Sequence, residues 1–209
     1  MIAQGPAAIS LRAIAAEMGM AAPSLYNYFK NRDELVTALI IDTFNAQADR
    51  LEEASLSLPQ NDYAGRMLAL CLAYREWNLA HPTDFALIVG NPIPGYRTPT
   101  EATTPAGRRT LQLFIEVIQS AWLEGRLHLP PEYAELSPEL SGQLTDFIQQ
   151  AGYDLALPVL HLTLSIWAQL LGLLFLETYG HFEPILSNPG ELYRNEVLAW
   201  LKRLGLSQT

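Results

Sequence analysis

The sequence predicts an all-α protein, on three observations. No convincing run of alternating apolar and polar residues marks a strand. Several stretches repeat their apolar residues three and four positions apart, the spacing of one helix face. Residues 10–35, SLRAIAAEMGMAAPSLYNYFKNRDEL, read as two short helices around a glycine turn, followed at once by a third.

In the first of these, Ser10 is suited to cap the helix, its hydroxyl accepting an orphan amide proton. Ile14, Ala15 and Met18 give it an apolar face. Gly19 ends it where a left-handed backbone angle is cheap only for glycine. Pro23 opens the second helix, where a missing amide proton costs nothing. Leu25 and Phe29 form its buried side and leave Ser24, Tyr26, Asn27 and Tyr28 to face elsewhere. Asn31 with Glu34 makes a capping-box-like start to a long helix from Arg32 to about Ala54. Helix, tight turn and helix is the arrangement that sets a second helix into the major groove of DNA.

The rest follows by breakers and periodicity. After a break at 55–61 a helix runs from about Asp62 to Ala80, and His81-Pro82 ends it. A short helix spans Pro82 to about Val89. Residues 91–99, with three prolines, form a rigid irregular loop. Further helices are expected from Pro105 to Glu124, Pro138 to Ala151, Leu155 to Tyr179 and Pro189 to Leu204, with Pro130-Pro131 an interruption. Residues 155–176 hold no Asp, Glu, Lys or Arg over 22 positions, enough to span a bilayer. Pro158, His161, Thr163, Ser165 and Gln169 within it, and the absence of a flanking basic cluster, argue instead for a helix buried on both sides. No membrane partner is expected.

At 209 residues the chain can bury a sizeable core. One cysteine, Cys71, excludes an intrachain disulfide framework and fits a reducing compartment; the expected location is cytoplasmic. The net charge of −9 argues against a DNA binder until its distribution is read. Residues 1–32 hold Arg12, Lys30 and Arg32 against Glu17, a net +2, which leaves −11 for the remainder. A small basic head on an acidic body keeps a phosphate-binding face and discourages indiscriminate contact.

Residues 10–35 resemble the DNA-binding region of the TetR family of bacterial transcription regulators. The pattern stands here as Ala15, Gly19-Met20, Pro23-Ser24-Leu25-Tyr26, Tyr28-Phe29 and Lys30-Asn31-Arg32-Asp33-Glu34-Leu35. The resemblance implies a helix-turn-helix domain over residues 1–45 and a ligand-binding and dimerisation domain over 46–209. It implies DNA contacts from Ala22, Pro23, Ser24 and Asn27 on the recognition helix, with Asn27 reading a base edge. Tyr26, Tyr28 and Lys30 would grip phosphates, flanked by Arg12 and Arg32. Solvated surface charge remains the competing role for Arg12 and Lys30, and partial core packing for Tyr28. Family members also carry a first helix that covers the face of Ile14, Met18, Leu25 and Phe29. Little chain precedes Gly5 to form it, so the natural product is expected to begin upstream of Met1 or to carry a disordered N-terminal segment that this sequence lacks.

The second half is similar to a narrower subgroup of the same family found in actinobacteria, through Tyr74-Arg75, Trp77, Ala80-His81-Pro82, Phe85 and Pro94-Gly95-Tyr96. Trp167, Leu171-Gly172, Leu176-Glu177 and Gly180-His181-Phe182 continue the likeness, with leucine where histidine is commoner. Tyr74, Trp77, Phe85, Trp122, His161 and Trp167 are candidates to line a small-molecule pocket, with plain core packing the competing role for each. Leu164, Leu171, Phe175, Leu192 and Glu196 are expected at a homodimer interface formed by the last two helices.

Catalysis finds little support. His81, His128, His161 and His181 show no metal-site spacing, Cys71 reads as a small core residue, and no phosphate loop or nucleophile elbow occurs. No enzyme activity, metal or cofactor is expected. The expected function is a dimeric repressor released from operator DNA by a small apolar or aromatic molecule. The alternative is a helical small-molecule-binding or interaction protein that does not use DNA, with a helical enzyme as a third and weaker option.

Overall fold

The computed structural model of the protein describes residues 14–16, 19, 21–90 and 92–206. Ser10, Arg12 and Met18, named above, lie outside them. The described elements are helices, with no strand among the described residues. Contacts divide the chain into two units. One holds the residues up to Asp49 together with Glu76–Thr110, and the other holds Arg50–Arg75 together with the chain from Leu111. The borders fall inside three continuous helices, Arg32–Leu56, Tyr63–Ala80 and Thr100–Leu123.

In the first unit, residues 14–16 are helical and Gly19 has φ of +64°. A side chain there would strain the turn. The Ala22–Tyr26 helix follows from an extended Ala21, with Pro23 in its first turn. Its Leu25 is buried with Ala15, Leu35, Val36, Ile40 and Ile93, and Phe29, Leu87, Ile88 and Tyr96 pack against that cluster. Each buried leucine, isoleucine or valine of the cluster contributes roughly 1.5–3 kcal/mol. Leu87, Ile88, Ile93 and Tyr96 thus supply part of the core under the helix-turn-helix segment.

The Arg32–Leu56 helix begins on two side-chain caps. The Glu34 amide donates to Asn31 Oδ1 at 2.9 Å, and the Glu34 carboxylate accepts from the Lys30 amide at 2.7 Å. The expected reciprocal cap is therefore shifted by one residue, to Lys30 rather than Asn31. Further along, the interior is polar. Gln47 Nε2 donates to Asn78 Oδ1 and Thr110 Oγ1 donates to Gln47 Oε1, both at 3.0 Å. Arg109 reaches Asn45 at 2.9 Å and Asp49 at 2.7 Å.

In the second unit, Ile115, Leu144 and Leu160 form a buried cluster walled by Leu140, Phe147, Ile148, Leu155 and Leu157. The Pro138–Ala151 helix carries its own start and stop: Ser137 Oγ accepts from the Leu140 amide at 3.3 Å, and Gly152 ends it at φ +69°. The Leu157–Thr178 helix is long and apolar enough to cross a bilayer by composition. Val159, Leu160, Leu162, Thr163, Ile166, Leu170 and Leu174 are its buried residues. Trp200, on the Pro189–Arg203 helix, donates from Nε1 to Gln169 Oε1 at 3.0 Å.

Three elements differ from expectation. The helix expected from Pro105 begins at Thr100 and carries Pro105 inside it. Pro105 is the sixth residue of that helix and forgoes one ladder bond, to the Glu101 carbonyl, while Thr103 Oγ1 bonds the Pro99 carbonyl at 3.2 Å. Pro130-Pro131, read as an interruption, opens a four-residue helix, Pro131–Ala134, because proline suits the first helical position. The helix expected from Asp62 starts at Tyr63, with Asp62 as its cap accepting from the Gly65 amide at 2.8 Å.

Candidate nucleic-acid interface

The Ala22–Tyr26 helix is short, and its apolar anchor is Leu25. Anchoring by that one residue decides what its other faces show. Pro23, Tyr26, Asn27, Tyr28 and Lys30 are exposed, and Ser24 is half-buried. Tyr26 is 45% exposed and Tyr28 75%, values that core packing of either ring does not produce. Two phenols, one carboxamide and one ammonium therefore follow each other over five positions at the solvent-facing end of the turn. Such donors suit phosphate oxygens, and the amide of Asn27 can also accept. Ala22 opens the helix.

Arg32 is placed differently from Tyr26, Tyr28 and Lys30. It is half-buried, and its guanidinium donates from Nη1 to the Pro94 carbonyl at 3.3 Å. One turn further on, Thr37 Oγ1 and Tyr96 Oη share a hydrogen bond of 2.9 Å. Sequence reasoning saw residues 91–99 as a rigid loop and missed that Ile93, Pro94 and Tyr96 attach to this helix. The one local signal was an apolar Ile and an aromatic Tyr inside a proline-rich stretch.

The six pocket candidates fall into both units. In the first, Trp77 and Phe85 are buried, and Trp77 stacks on His81 with ring centroids 4.6 Å apart. His81 Nδ1 lies 2.7 Å from the Trp77 carbonyl, as suits a residue at a helix end. In the second, Tyr74 is buried, edge-on to Phe114 at 6.2 Å. Burial pushes its hydroxyl up to about 12, against a smaller opposite effect of a hydrogen bond with Trp167. Trp122, His161 and Trp167 are half-buried, and His161 Nδ1 lies 3.3 Å from the Tyr133 carbonyl.

A shallow cleft in the second unit, about 240 Å³ including open solvent, is lined by Tyr133, Leu162, Ile166, Gln169, Trp200, Arg203 and Leu204. None of the six candidates lines it, although His161 packs on Tyr133 at its rim with ring centroids 5.4 Å apart. Burial raises the Cys71 thiol far above its ordinary range, which keeps it protonated and unreactive. No group of three metal-ligating side chains occurs among the described residues.

The expected dimer residues divide by exposure. Phe175 is 40% exposed, whereas Leu164, Leu171, Leu192 and Glu196 are half-buried, Leu164 against the Ile115–Leu144–Leu160 cluster. Leu176, Tyr179 and Leu198 are exposed too and were not named from the sequence. Residues 168, 172, 175, 176 and 179 form an open small and apolar strip, and a Cβ at Gly172 would meet nothing within 4 Å.

Residues 1–39 match the pattern of bacterial regulatory proteins of the tetR family, and residues 67–199 match a tetracyclin repressor-like C-terminal domain. Over 194 residues the chain is 28% identical to HTH-type transcriptional regulators from Mycobacterium tuberculosis (Rv1816) and Mycobacterium bovis (Mb1846), covering 92% of this chain and 82% of each of those. The crystal structure of a protein described as regulatory, SCO4313, is similar at TM-score 0.76 and 34% identity, over 96% of this chain and 89% of that one. A tetR-family regulatory protein from Rhodococcus RHA1 shares the fold at TM-score 0.61 and 15% identity, over 96% of this chain and 88% of that one.

Proposed function

The chain belongs to the TetR family and is a transcription regulator with a helix-turn-helix DNA-binding domain, and from that premise we propose a homodimeric repressor that a small apolar or aromatic molecule releases from its operator. The exposure of Tyr26, Asn27, Tyr28 and Lys30, beside a buried Leu25, is the observation that carries the operator-binding part. Two such heads, one per protomer, would meet successive half-sites about 34 Å apart.

The open strip around Phe175 and Tyr179, with Leu198, supports dimerisation through the last two helices. Apolar side chains left in water along a helix already buried on its other face call for a partner. The Arg32–Leu56 helix is continuous over 25 residues, a rod about 38 Å long. An effector acts through it by favouring a head placement that misfits the operator. Tyr74, Trp122, His161 and Trp167 supply the aromatic surface for such a molecule. A regulator of this kind works where the genome is, in the cytoplasm.

The test is an electrophoretic shift with the DNA flanking the protein's own gene. A retarded band that weakens steeply with salt is the expected result. Failure to retard any promoter fragment at low salt would return the chain to the reading of a helical binding protein that does not use DNA.

A further inference from the structure

The loop at residues 92–99 holds the DNA-reading head more firmly than a connector requires. Ile93 is buried in the same cluster as Ala15 and Leu25. The Pro94 carbonyl accepts from Arg32 at 3.3 Å, and Tyr96 shares its hydroxyl with Thr37 at 2.9 Å. Both attachments fall in the first two turns of the Arg32–Leu56 helix, directly after the exposed Tyr26, Asn27, Tyr28 and Lys30. Gly95, at φ +75°, turns the chain between them. The next residue is Arg97, which is exposed.

We propose that Arg97 is an accessory phosphate contact, and that the loop at 92–99 is part of the DNA-binding surface although it lies far outside the helix-turn-helix segment in sequence. Reach supports this. Three residues of chain span at most about 10 Å, so the Arg97 backbone stays within that distance of Pro94 and hence close to Arg32. A duplex presents one charge per roughly 1.7 Å of axis, so a flexible guanidinium held there finds a phosphate.

Charge points the same way. Among the described residues up to Asp49, the only basic side chains are Lys30 and Arg32, and Arg32 is half-buried with a bond to the loop. In the rest of that unit, Glu76–Thr110, the Lys and Arg residues are Arg97, Arg108 and Arg109, and of these Arg97 alone stands on the loop that touches the head.

The inference rests on the operator-binding reading, and one titration separates the two. Operator affinity of the wild-type dimer is measured from roughly 50 to 300 mM salt, beside Arg97→Ala, Arg97→Lys and Arg126→Ala. Arg126 is an exposed cation of the other unit. Losing one contact per protomer makes the slope of log affinity against log salt shallower by roughly 2 and weakens binding about ten-fold or more near 0.1 M. Arg97→Lys restores most of that slope, and Arg126→Ala matches wild type.

An Arg97→Ala slope equal to wild type overturns the inference and leaves the operator reading standing. So does an equal change in Arg126→Ala, which would make the effect one of overall charge. A lysine variant no better than alanine and lower in melting temperature would make Arg97 a structural residue. Wild-type protein that binds no promoter DNA sinks the operator reading first and Arg97 with it.

Discussion

Arg75 and Glu177 meet across 102 positions of sequence as a two-point ion pair, with Arg75 Nε 2.8 Å from Glu177 Oε2 and Nη2 bonded to Oε1. The guanidinium lies 6.0 Å above the ring of Tyr193, whose hydroxyl donates to the Cys71 carbonyl at 2.8 Å. A Cβ at Gly190 would come within 2.8 Å of Arg75 Nη2, so glycine leaves the room the fork occupies. The pair therefore ties the end of the Leu157–Thr178 helix to the helix that carries Cys71 and Arg75.

Removing one partner strands the other. The side chains are 21% and 12% exposed, so screening is partial. Arg75→Ala is expected to cost about 2–3 kcal/mol and lower the melting temperature by roughly 5–10 °C. The double variant Arg75→Ala, Glu177→Gln should recover part of that loss, which thermal melts of the three proteins will measure.

Gly19→Ala should destabilise the head by about 1–2 kcal/mol, because a Cβ is forced into the left-handed region at φ +64°. Gly19→Asn should cost less. Denaturant melts read the stability, and operator binding should fall in the same order.

Tyr26→Ala and Lys30→Ala should each weaken operator binding by about ten-fold while leaving the melting temperature within a degree or so, since both side chains are exposed. Unchanged binding in a gel-shift titration would strike those residues from the interface.

Phe175→Glu should turn the dimer into monomer at micromolar concentration, because a carboxylate replaces a ring on the open strip. Sedimentation velocity distinguishes the species. Far-ultraviolet dichroism should stay helical.

Alkaline pH should destabilise the second unit. Burial raises the hydroxyl of Tyr74 to about 12 and lifts Tyr193 and Cys71 in the same direction. The folded state thus holds protons that the unfolded chain has released, so stability is whole below about pH 8 and falls as pH rises through the ordinary thiol and phenol range. Each such group contributes up to about 1.4 kcal/mol per pH unit. Melts between pH 8 and 11 test this, with Tyr74→Phe giving a shallower decline.

Signals confined to neighbouring residues were legible in the sequence. Pro82 at a helix start, the amphipathic spacing from Pro138 to Ala151, and Gly19 at a turn each act within a few positions, and those elements stand where expected. What depends on partners far along the chain was not. Ile93 and Tyr96 carry no local sign that they complete the core beneath Leu25, and Arg32 looks like any surface cation until Pro94 is placed beside it. The aromatic candidates were ambiguous for a related reason. A ring that fills a core and a ring that lines a pocket share one chemistry, and only burial separates Phe85 from the half-exposed Trp122.

The chain of amides and hydroxyl through Asn78, Gln47 and Thr110 has a consequence for motion. Apolar ridges can slide past one another by a turn at modest loss, but a buried carboxamide moved off its mates is left stranded in oil. Sliding the Arg32–Leu56 helix along its neighbours would therefore break both of these hydrogen bonds at once.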